Sequence, residues 1–477
     1  MIYDIIILGG GIAGLYTAYK LNKCSPHLKI LLLEKENYLG GRVFTVHQGD
    51  MNVEAGAGRF ADNHLYLMEL LKELKLTSKM VKNGSEVAYA PANGTGVGSG
   101  QGAMYGSVND AARFTSKKGC STDNALINNM LTLGLGPSTL PNAALITRVV
   151  VASKLESRTY LQNQTFESYA KKVLTKDEVE FIKQSFGYYS ELVVMNAYDA
   201  TQLMVFLGPT NTFYFLKGGL SQVIEKMAEK LGDNVRILLQ HRVKKINHND
   251  NNDNEFEIIT ESKERTIHYL GKKCVCALPK QALLTLSIFN PIKKLLNSVE
   301  YGTLCRIYCR FDTGKGTGKG TDKETDKEKV WFHGLPKFTT NNYLRMVIPY
   351  DEKSGVIMLS YTDNKYAEYW QRLYSSAGNH KEGIQRVNKK LIEQIGEVLG
   401  PKVHVPMPKY TRICYWKYGV GYWGVGADSA DISEKMIQPI SGMDLFVCGE
   451  NYSEKWQQWM EGALETSQRV LRQLKVL

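Results

Sequence analysis

"IIILGGGIAGLYTAYKL", residues Ile5 to Leu21, decides the fold. Ile5, Ile6, Ile7 and Leu8 form an uninterrupted apolar run, the pattern of a parallel strand buried on both faces. Gly9, Gly11 and Gly14 follow in the spacing G-x-G-x-x-G, and a helical stretch begins at Ile12. In that spacing the first glycine permits the tight turn, the second lets a pyrophosphate approach the backbone, and the third lets helix and strand pack closely. The N–H groups of Ile12, Ala13 and their neighbours then point at the phosphates. A second apolar run, Ile30 to Leu33, ends in Glu34. This acid falls about twenty residues past the last glycine, where a carboxylate accepts the ribose hydroxyls of a dinucleotide. A glycine turn alone fits any strand–turn–helix; the acid in register makes it a nucleotide site.

The rest of the chain sets the frame for that site. Its 477 residues leave room for two or three domains, each with its own core. Hydrophobic residues make up 43% and charged residues 22%, the balance of a globular chain. No apolar run is long enough to span a bilayer, and the first strand begins so early that no signal or transit peptide is expected before it. None of the eight cysteines shows metal-ligand spacing. Cys274 and Cys276 point the same way on one strand but have no second pair, so free thiols and no metal site are expected. Cytoplasm or another reducing intracellular compartment follows, and the N-x-S/T triplets at Asn83, Asn93, Asn163 and Asn451 then arise by chance. The net charge is +11 and the pI about 9.0. The lysines are spread evenly, without a basic helix or an aromatic-interleaved patch, so no nucleic-acid partner is expected.

Two stretches read as loops. Ala92–Ser107 is glycine-rich and aperiodic, and Thr313–Glu328 consists of charged tetrads, TGKG twice and TDKE twice. Residues between about 120 and 210 follow a helical period, and strand patterns return after 213. The fold class expected is α/β plus α+β. A Rossmann-like nucleotide domain takes residues 1–62, 213–286 and 435–477. A mixed-sheet substrate domain takes 63–122 and 287–434, with an insertion at 313–328, and a helical subdomain takes 123–212.

At this point four motifs, in order, resemble the FAD-dependent amine oxidases, a family that includes monoamine, polyamine and L-amino-acid oxidases. "EKENYLGGRVFT" (Glu34–Thr45) resembles the second fingerprint, with Glu34 and Lys35 opening it and Gly40, Gly41 and Arg42 forming its G-G-R. "FYFLKGGLSQVIEKMAEKL" (Phe213–Leu231) resembles the segment that re-enters the FAD domain, and Val243 stands where the family's backbone meets adenine. "VCALP" (Val275–Pro279) resembles a strand end leading back to substrate. "VCGENYSEKWQQWMEGALE" (Val447–Glu465) resembles the closing motif. The resemblance implies non-covalent FAD. Gly9, Gly11, Gly14, Gly41, Arg42, Gly449 and Glu450 would hold its pyrophosphate and ribityl parts. Gly56, Ala57, Gly58 and Arg59 would line the flavin, with the helix start at Trp459 and Met460 facing its pyrimidine. The linking cysteine of monoamine oxidases would fall on Tyr422.

The substrate motif is "VEAGAGRFADNHLYLMELLKEL" (Val53–Leu74). Gly56-Ala57-Gly58-Arg59-Phe60 is similar to the G-x-M-R pattern of L-amino-acid oxidases, in which the arginine grips the substrate carboxylate; Gly58 replaces the methionine. A guanidinium–carboxylate pair would supply both affinity and register. The family's lysine that holds a water near flavin N5 is replaced by Arg306, a permanent cation that cannot act as a base. The carboxylate-binding tyrosine falls on Ile348, and Tyr350 is offered as its replacement. Trp423 and Trp459 would form an aromatic cage. The implied reaction is oxidative deamination: hydride transfer from the α-carbon of an amine or L-amino acid to flavin, with O2 as oxidant and hydrogen peroxide as product. The alternatives kept open are a polyamine or monoamine oxidase without carboxylate recognition, a desaturase or porphyrinogen oxidase, and a flavoprotein with a binding or structural role. Assembly as a homodimer also stays open.

Overall fold

The computed structural model describes residues 1–49, 51–83, 86–89, 131–134, 141–207, 211–249, 255–313, 330–335, 337–400 and 403–476. Most of Thr313–Glu328, and all of the glycine-rich loop at 92–107, lie outside the described residues.

Two seven-stranded sheets carry the structure. The first runs in the order Val235–Leu238, Ile30–Leu33, Ile2–Leu8, Arg265–Cys276, Glu255–Ser262, Arg242–Asn249, with Leu445–Val447 added beside Arg265–Cys276. Ile2–Leu8 pairs in parallel with both Ile30–Leu33 and the second half of Arg265–Cys276, and Leu445–Val447 pairs in parallel with Cys274–Cys276. The first half of Arg265–Cys276 instead forms an antiparallel ribbon with Glu255–Ser262. The residue pattern follows this split. "RTIHYL" alternates and is largely open to solvent, whereas Cys274, Val275 and Cys276 are all buried, because only the parallel layer is covered on both faces. On one face lie the helices Ile12–Cys24, Ser221–Ala228 and Met460–Gln473, around Leu15, Leu32, Met227 and Leu464. On the other lie Phe256, Phe289, Leu296 and Trp423.

The second sheet runs Tyr410–Trp423, Val299–Arg310, Val356–Asp363, Met346–Asp351, Phe338–Thr339, Glu86–Tyr89, Leu131–Gly134. The helices Asn364–Ser375 and His380–Leu399 cover one face through Trp370, Val387 and Leu391. The hairpin Thr45–Gln48/Met51–Glu54 covers the other, with Met51 and Val53 against Tyr308. A small sheet of Phe60–Ala61, Phe213–Leu216 and Met80–Asn83 joins the two units.

Among the described residues, the helical block runs from Pro141 to Phe206. Its short helices are started by side-chain caps: the oxygens of Ser157, Thr165, Thr175 and Asn196 each accept a backbone N–H three residues on, and Thr175 with Glu178 forms a capping box. Within the expected 123–212, Leu131–Gly134 is a strand of the second sheet. Among the described residues, no helix is long and apolar enough to cross a membrane.

Candidate active site

The glycine turn does what its spacing requires. Gly9 has φ +102°, and a Cβ there would lie 2.5 Å from the Ala277 carbonyl oxygen. A Cβ on Gly14 would lie 2.0 Å from the Gly9 oxygen, so this glycine sets the contact between helix and turn. Gly11 differs: a Cβ there would meet nothing within 4 Å. The backbone at Gly11 faces open space at the start of the helix Ile12–Cys24, whose first turn has no side-chain cap and no acidic residue. Uncapped N–H groups facing open space fit a pyrophosphate. Ile12 and Ala13 place their side chains in the core and leave those N–H groups to the ligand.

The second fingerprint closes onto the first. Gly40 N–H donates to the Gly10 oxygen at 2.8 Å, and Gly41 lies against the Gly11 Cα. Glu34 is buried and accepts N–H bonds from Gly10 at 2.7 Å and Glu36 at 2.9 Å. A carboxylate has further lone pairs, so it can brace the turn and still accept a ribose hydroxyl. Arg42 donates to Glu450 at 2.6 Å and to the Gly419 carbonyl at 2.9 Å. Two residues expected to meet the cofactor separately are therefore one ion pair, and Glu450 also accepts the Gln458 N–H at 2.9 Å. Gly449 has φ +137°, which reserves that position for glycine, and its N–H donates to Thr466. Lys35 pairs with Glu36 at 2.8 Å, both half-exposed, so its ammonium lies at the rim. Val243 stands at a bulge of its strand and packs at the edge of the first sheet's outer core.

The Glu54–Arg59 segment threads between Arg42 and Arg306. Ala57 N–H donates to the Arg42 carbonyl at 2.9 Å, and a Cβ on Gly56 would lie 1.9 Å from that oxygen. From the other side Arg306 donates to the Glu54 carbonyl at 3.1 Å, to the Gly56 carbonyl, and to the Tyr361 hydroxyl at 3.3 Å, with its guanidinium 4.6 Å from the Tyr361 ring. A Cβ on Gly58 would come within 3.0 Å of Arg306, which accounts for glycine where the amino-acid-oxidase pattern has methionine. Burial works against the charge of Arg306, but Tyr361, Tyr308 and Glu54 hold it up, so it remains a cation. Its fork grips backbone carbonyls. At the position expected to stand in for the water-holding lysine, Arg306 ties down the backbone of the Glu54–Gly56 segment.

Arg59 emerges from this loop into an aromatic cage. It donates to the Tyr188 hydroxyl at 2.8 Å, and its guanidinium lies 4.9 Å from the Phe213 ring and 5.6 Å from the rings of Tyr188 and Trp459. No carboxylate among the described residues lies within ion-pair distance of it. Trp459, one residue before the helix Met460–Gln473, stacks on Phe213 at 5.9 Å, and its indole N–H is buried without a partner. Met460 anchors that helix in the core. His64 stands edge-on to Trp459 at 5.0 Å; burial and the Arg59 charge push its pKa down to about 3, so it is neutral.

The expected cage residue Trp423 and the expected carboxylate-binding Tyr350 pack away from Arg59. Trp423 is fully buried in the first sheet's outer core, where its indole donates to the carbonyls of Ser453 and Glu454 at 3.2 Å. Successive strand residues face opposite ways, so Tyr422 takes the inner side and packs in the helical block's core. Tyr350 packs edge-on to Tyr308 at 5.5 Å, on the Glu54 and Arg306 side of the loop, and has no contact with Arg59. The tyrosine on Arg59 is Tyr188, which meets Tyr361 at 5.7 Å. Phe213 opens the re-entry motif and Tyr422 stands at the linkage position, but neither motif marks them as neighbours of Arg59 or of the helical block. Tyr361 belongs to no motif, and Tyr188 lies in a helical insertion with nothing to mark it.

The comparisons agree with this geometry. The profile of the flavin-containing amine oxidoreductases matches residues 12–474. The chain is 22% identical over 498 residues to an uncharacterized protein of Acanthamoeba polyphaga mimivirus, covering 98% of this chain and 93% of that one. It is 38% identical to achacin of Lissachatina fulica over 85 residues, 17% of this chain and 16% of achacin. The structure of a wild-type putrescine oxidase bound to putrescine superposes with a TM-score of 0.70 at 14% identity, covering 100% of both chains, which supports the fold. Residues 415–447 contain no cysteine for a covalent flavin link. The chain belongs to the flavin-containing amine oxidoreductases, as an enzyme with a Rossmann-like domain for non-covalent FAD and a mixed-sheet substrate domain.

Proposed function

We propose that the enzyme oxidatively deaminates an amine that carries a carboxylate, with L-α-amino acids as the substrate class. The observation that carries this reading is Arg59: a guanidinium inside a cage of Phe213, Tyr188 and Trp459, hydrogen-bonded to a neutral phenol, with no carboxylate beside it among the described residues. A cation held in a poorly solvated site without a counter-ion is poised for an anionic ligand. Its planar fork would fix a carboxylate at two points and set the Cα–H in register. The aromatic walls exclude water and favour an apolar or aromatic side chain. Bound FAD supplies the two-electron acceptor, with dioxygen as final oxidant and hydrogen peroxide as product. The substrate loses a hydride from Cα as its nitrogen lone pair forms the C=N bond, and hydrolysis of the released imine gives an oxo acid and ammonia.

The test is anaerobic flavin reduction by a panel of L-amino acids, benzylamine and putrescine, in wild type and Arg59→Ala. Truncating one partner of a buried charge pair costs about 2–5 kcal/mol, so kcat/KM for the best amino acid is expected to fall by roughly 30-fold or more with FAD retained. Arg59→Lys restores only part of this, because an ammonium lacks the fork. Fast reduction by the simple amines, none by any amino acid, and an Arg59→Ala enzyme that matches wild type would refute the proposal.

A further inference from the structure

The buried carboxylates of the described residues have partners, with one exception. Glu34, Glu461 and Asp363 each accept two backbone N–H groups, for example Glu461 from Tyr66 at 2.9 Å and Leu67 at 3.0 Å. Glu191 is only 5% exposed, and its Oε2 is the single buried carboxylate oxygen among the described residues with no hydrogen-bond partner. It sits in the short helix Tyr189–Val193, three residues after the tyrosine that holds Arg59. The charged and titratable groups that face it are Asp363, Arg59, Tyr188 and Tyr422. Among the described residues, the cation Arg59 has no anion within ion-pair distance and the Glu191 Oε2 has no donor, and the two do not pair with each other.

We infer that Glu191 holds the amino group of the substrate while Arg59 holds its carboxylate. This rests on the amino-acid reading above and adds the second half of the recognition. An unpartnered buried carboxyl is unfavourable until a donor arrives, and an amino N–H or ammonium is the donor that a charge-assisted bond to it requires. A zwitterion satisfies both groups at once, whereas a plain amine or a plain acid leaves one of them bare. Burial and the neighbouring Asp363 push the Glu191 carboxyl well above its ordinary range and Arg59 pulls it down, so ligand charge has a direct grip on its ionisation. Specificity of this kind comes from groups left unpaired by the wrong ligand.

The test uses three ligands of one shape, none with a hydrogen to lose at the amine-bearing carbon. They are α-methyl-L-phenylalanine, 2,2-dimethyl-3-phenylpropanoate, in which methyl replaces the amino group, and α,α-dimethylphenethylamine, in which methyl replaces the carboxylate. Each is titrated calorimetrically into the FAD-loaded enzyme. The amino acid is expected to bind wild type at least about tenfold more tightly than either analogue. Glu191→Gln keeps the shape and weakens the amino acid and the amine by about tenfold or more, while the acid stays within roughly twofold. A wild-type enzyme that binds the dimethyl acid as tightly as the amino acid overturns the inference without any variant. Equal weakening of all three ligands by Glu191→Gln also overturns it, since that marks a structural role. If Arg59→Ala leaves the acid's binding intact while Glu191→Gln removes the amine's, the carboxylate reading fails and the role of Glu191 stands.

Discussion

The FAD cradle and the aromatic cage meet at the Glu54–Arg59 segment and are built in opposite ways. The cradle is backbone: glycines packed against carbonyl oxygens, N–H groups left open, and one ion pair, Arg42–Glu450, behind them. The cage is side chain: Arg59, Tyr188, Phe213 and Trp459 arrive from four separate segments and touch only through rings and one hydrogen bond. Backbone geometry has no slack at a 2.0 Å approach, so a cradle residue is fixed by sterics. Cage residues are held by ring contacts and one hydrogen bond, so their replacement is expected to cost chemistry more than fold.

Two glycines in the cradle separate these costs most sharply. Gly14→Val places a side chain into the Gly9 carbonyl and drives the helix off the strand. Overpacking with no room to yield costs about 3 kcal/mol or more, and the variant is expected to be recovered unfolded or without flavin. Gly11→Val has open space at its Cβ and an extended backbone (φ −68°, ψ 179°) that valine adopts easily. Its apoprotein is expected to melt as wild type does, yet bind no FAD, because the added methyls occupy the phosphate position. Circular dichroism melts and flavin absorbance of both variants decide this. A yellow Gly11→Val protein would refute the placement of the pyrophosphate.

Next in size is a pair of neighbours on one strand. Trp423→Ala empties a fully buried site in the outer core and removes two hydrogen bonds. Large-to-small changes of this kind cost about 3–5 kcal/mol, with little expected effect on the reduction rate of the flavin in protein that still folds. Tyr422→Phe keeps the ring and removes only the hydroxyl. Its melting temperature is expected to shift little, and its effect appears in flavin reduction. Rapid-mixing reduction rates alongside thermal melts check the pair; the reverse pattern would restore Trp423 to the cage.

These outcomes bear on how much was legible in the residues alone. The cradle was readable because each motif is contiguous and each glycine has a local steric reason. Arg59 and Trp459 were readable because they sit inside such motifs. Trp423 packs in the outer core while Tyr422 packs with the helical block, since a motif position does not fix strand parity and a single step reverses the face. Arg306 was read by its residue type, but its Nη1 goes to the carbonyls of Glu54 and Gly56 and its Nη2 to the Tyr361 hydroxyl, which no spacing reveals. Tyr188 and Glu191 were invisible. They come from the helical block, whose packing onto the second sheet depends on Asp363 accepting the N–H groups of Tyr189 and Ser190.

The smallest effect concerns what holds that helical block against the strand carrying Tyr422. Asn196 donates to the carbonyls of Trp423 and Gly424 at 3.3 and 3.2 Å and to Asp199 at 2.7 Å, and Ser429 donates to Asp199 at 2.7 Å. Asp199 is buried, and burial outweighs these two donors and the nearby Arg158 charge, pushing its pKa up to about 6. An unfolded aspartate titrates near 3.9. The folded state therefore binds this proton more tightly than the unfolded state does. The stabilisation it gives is complete below about pH 4 and is lost as pH rises through about 6. At about 1.4 kcal/mol per pKa unit, the swing is about 3 kcal/mol at most. Asp199→Asn cannot ionise, so its stability relative to wild type is expected to improve steadily between pH 4 and pH 7 and then level off. Paired melting curves of wild type and variant across that range measure the difference directly. A difference independent of pH would show that Asp199 is ionised throughout, and that the block is held by an aspartate already paid for by its donors and Arg158.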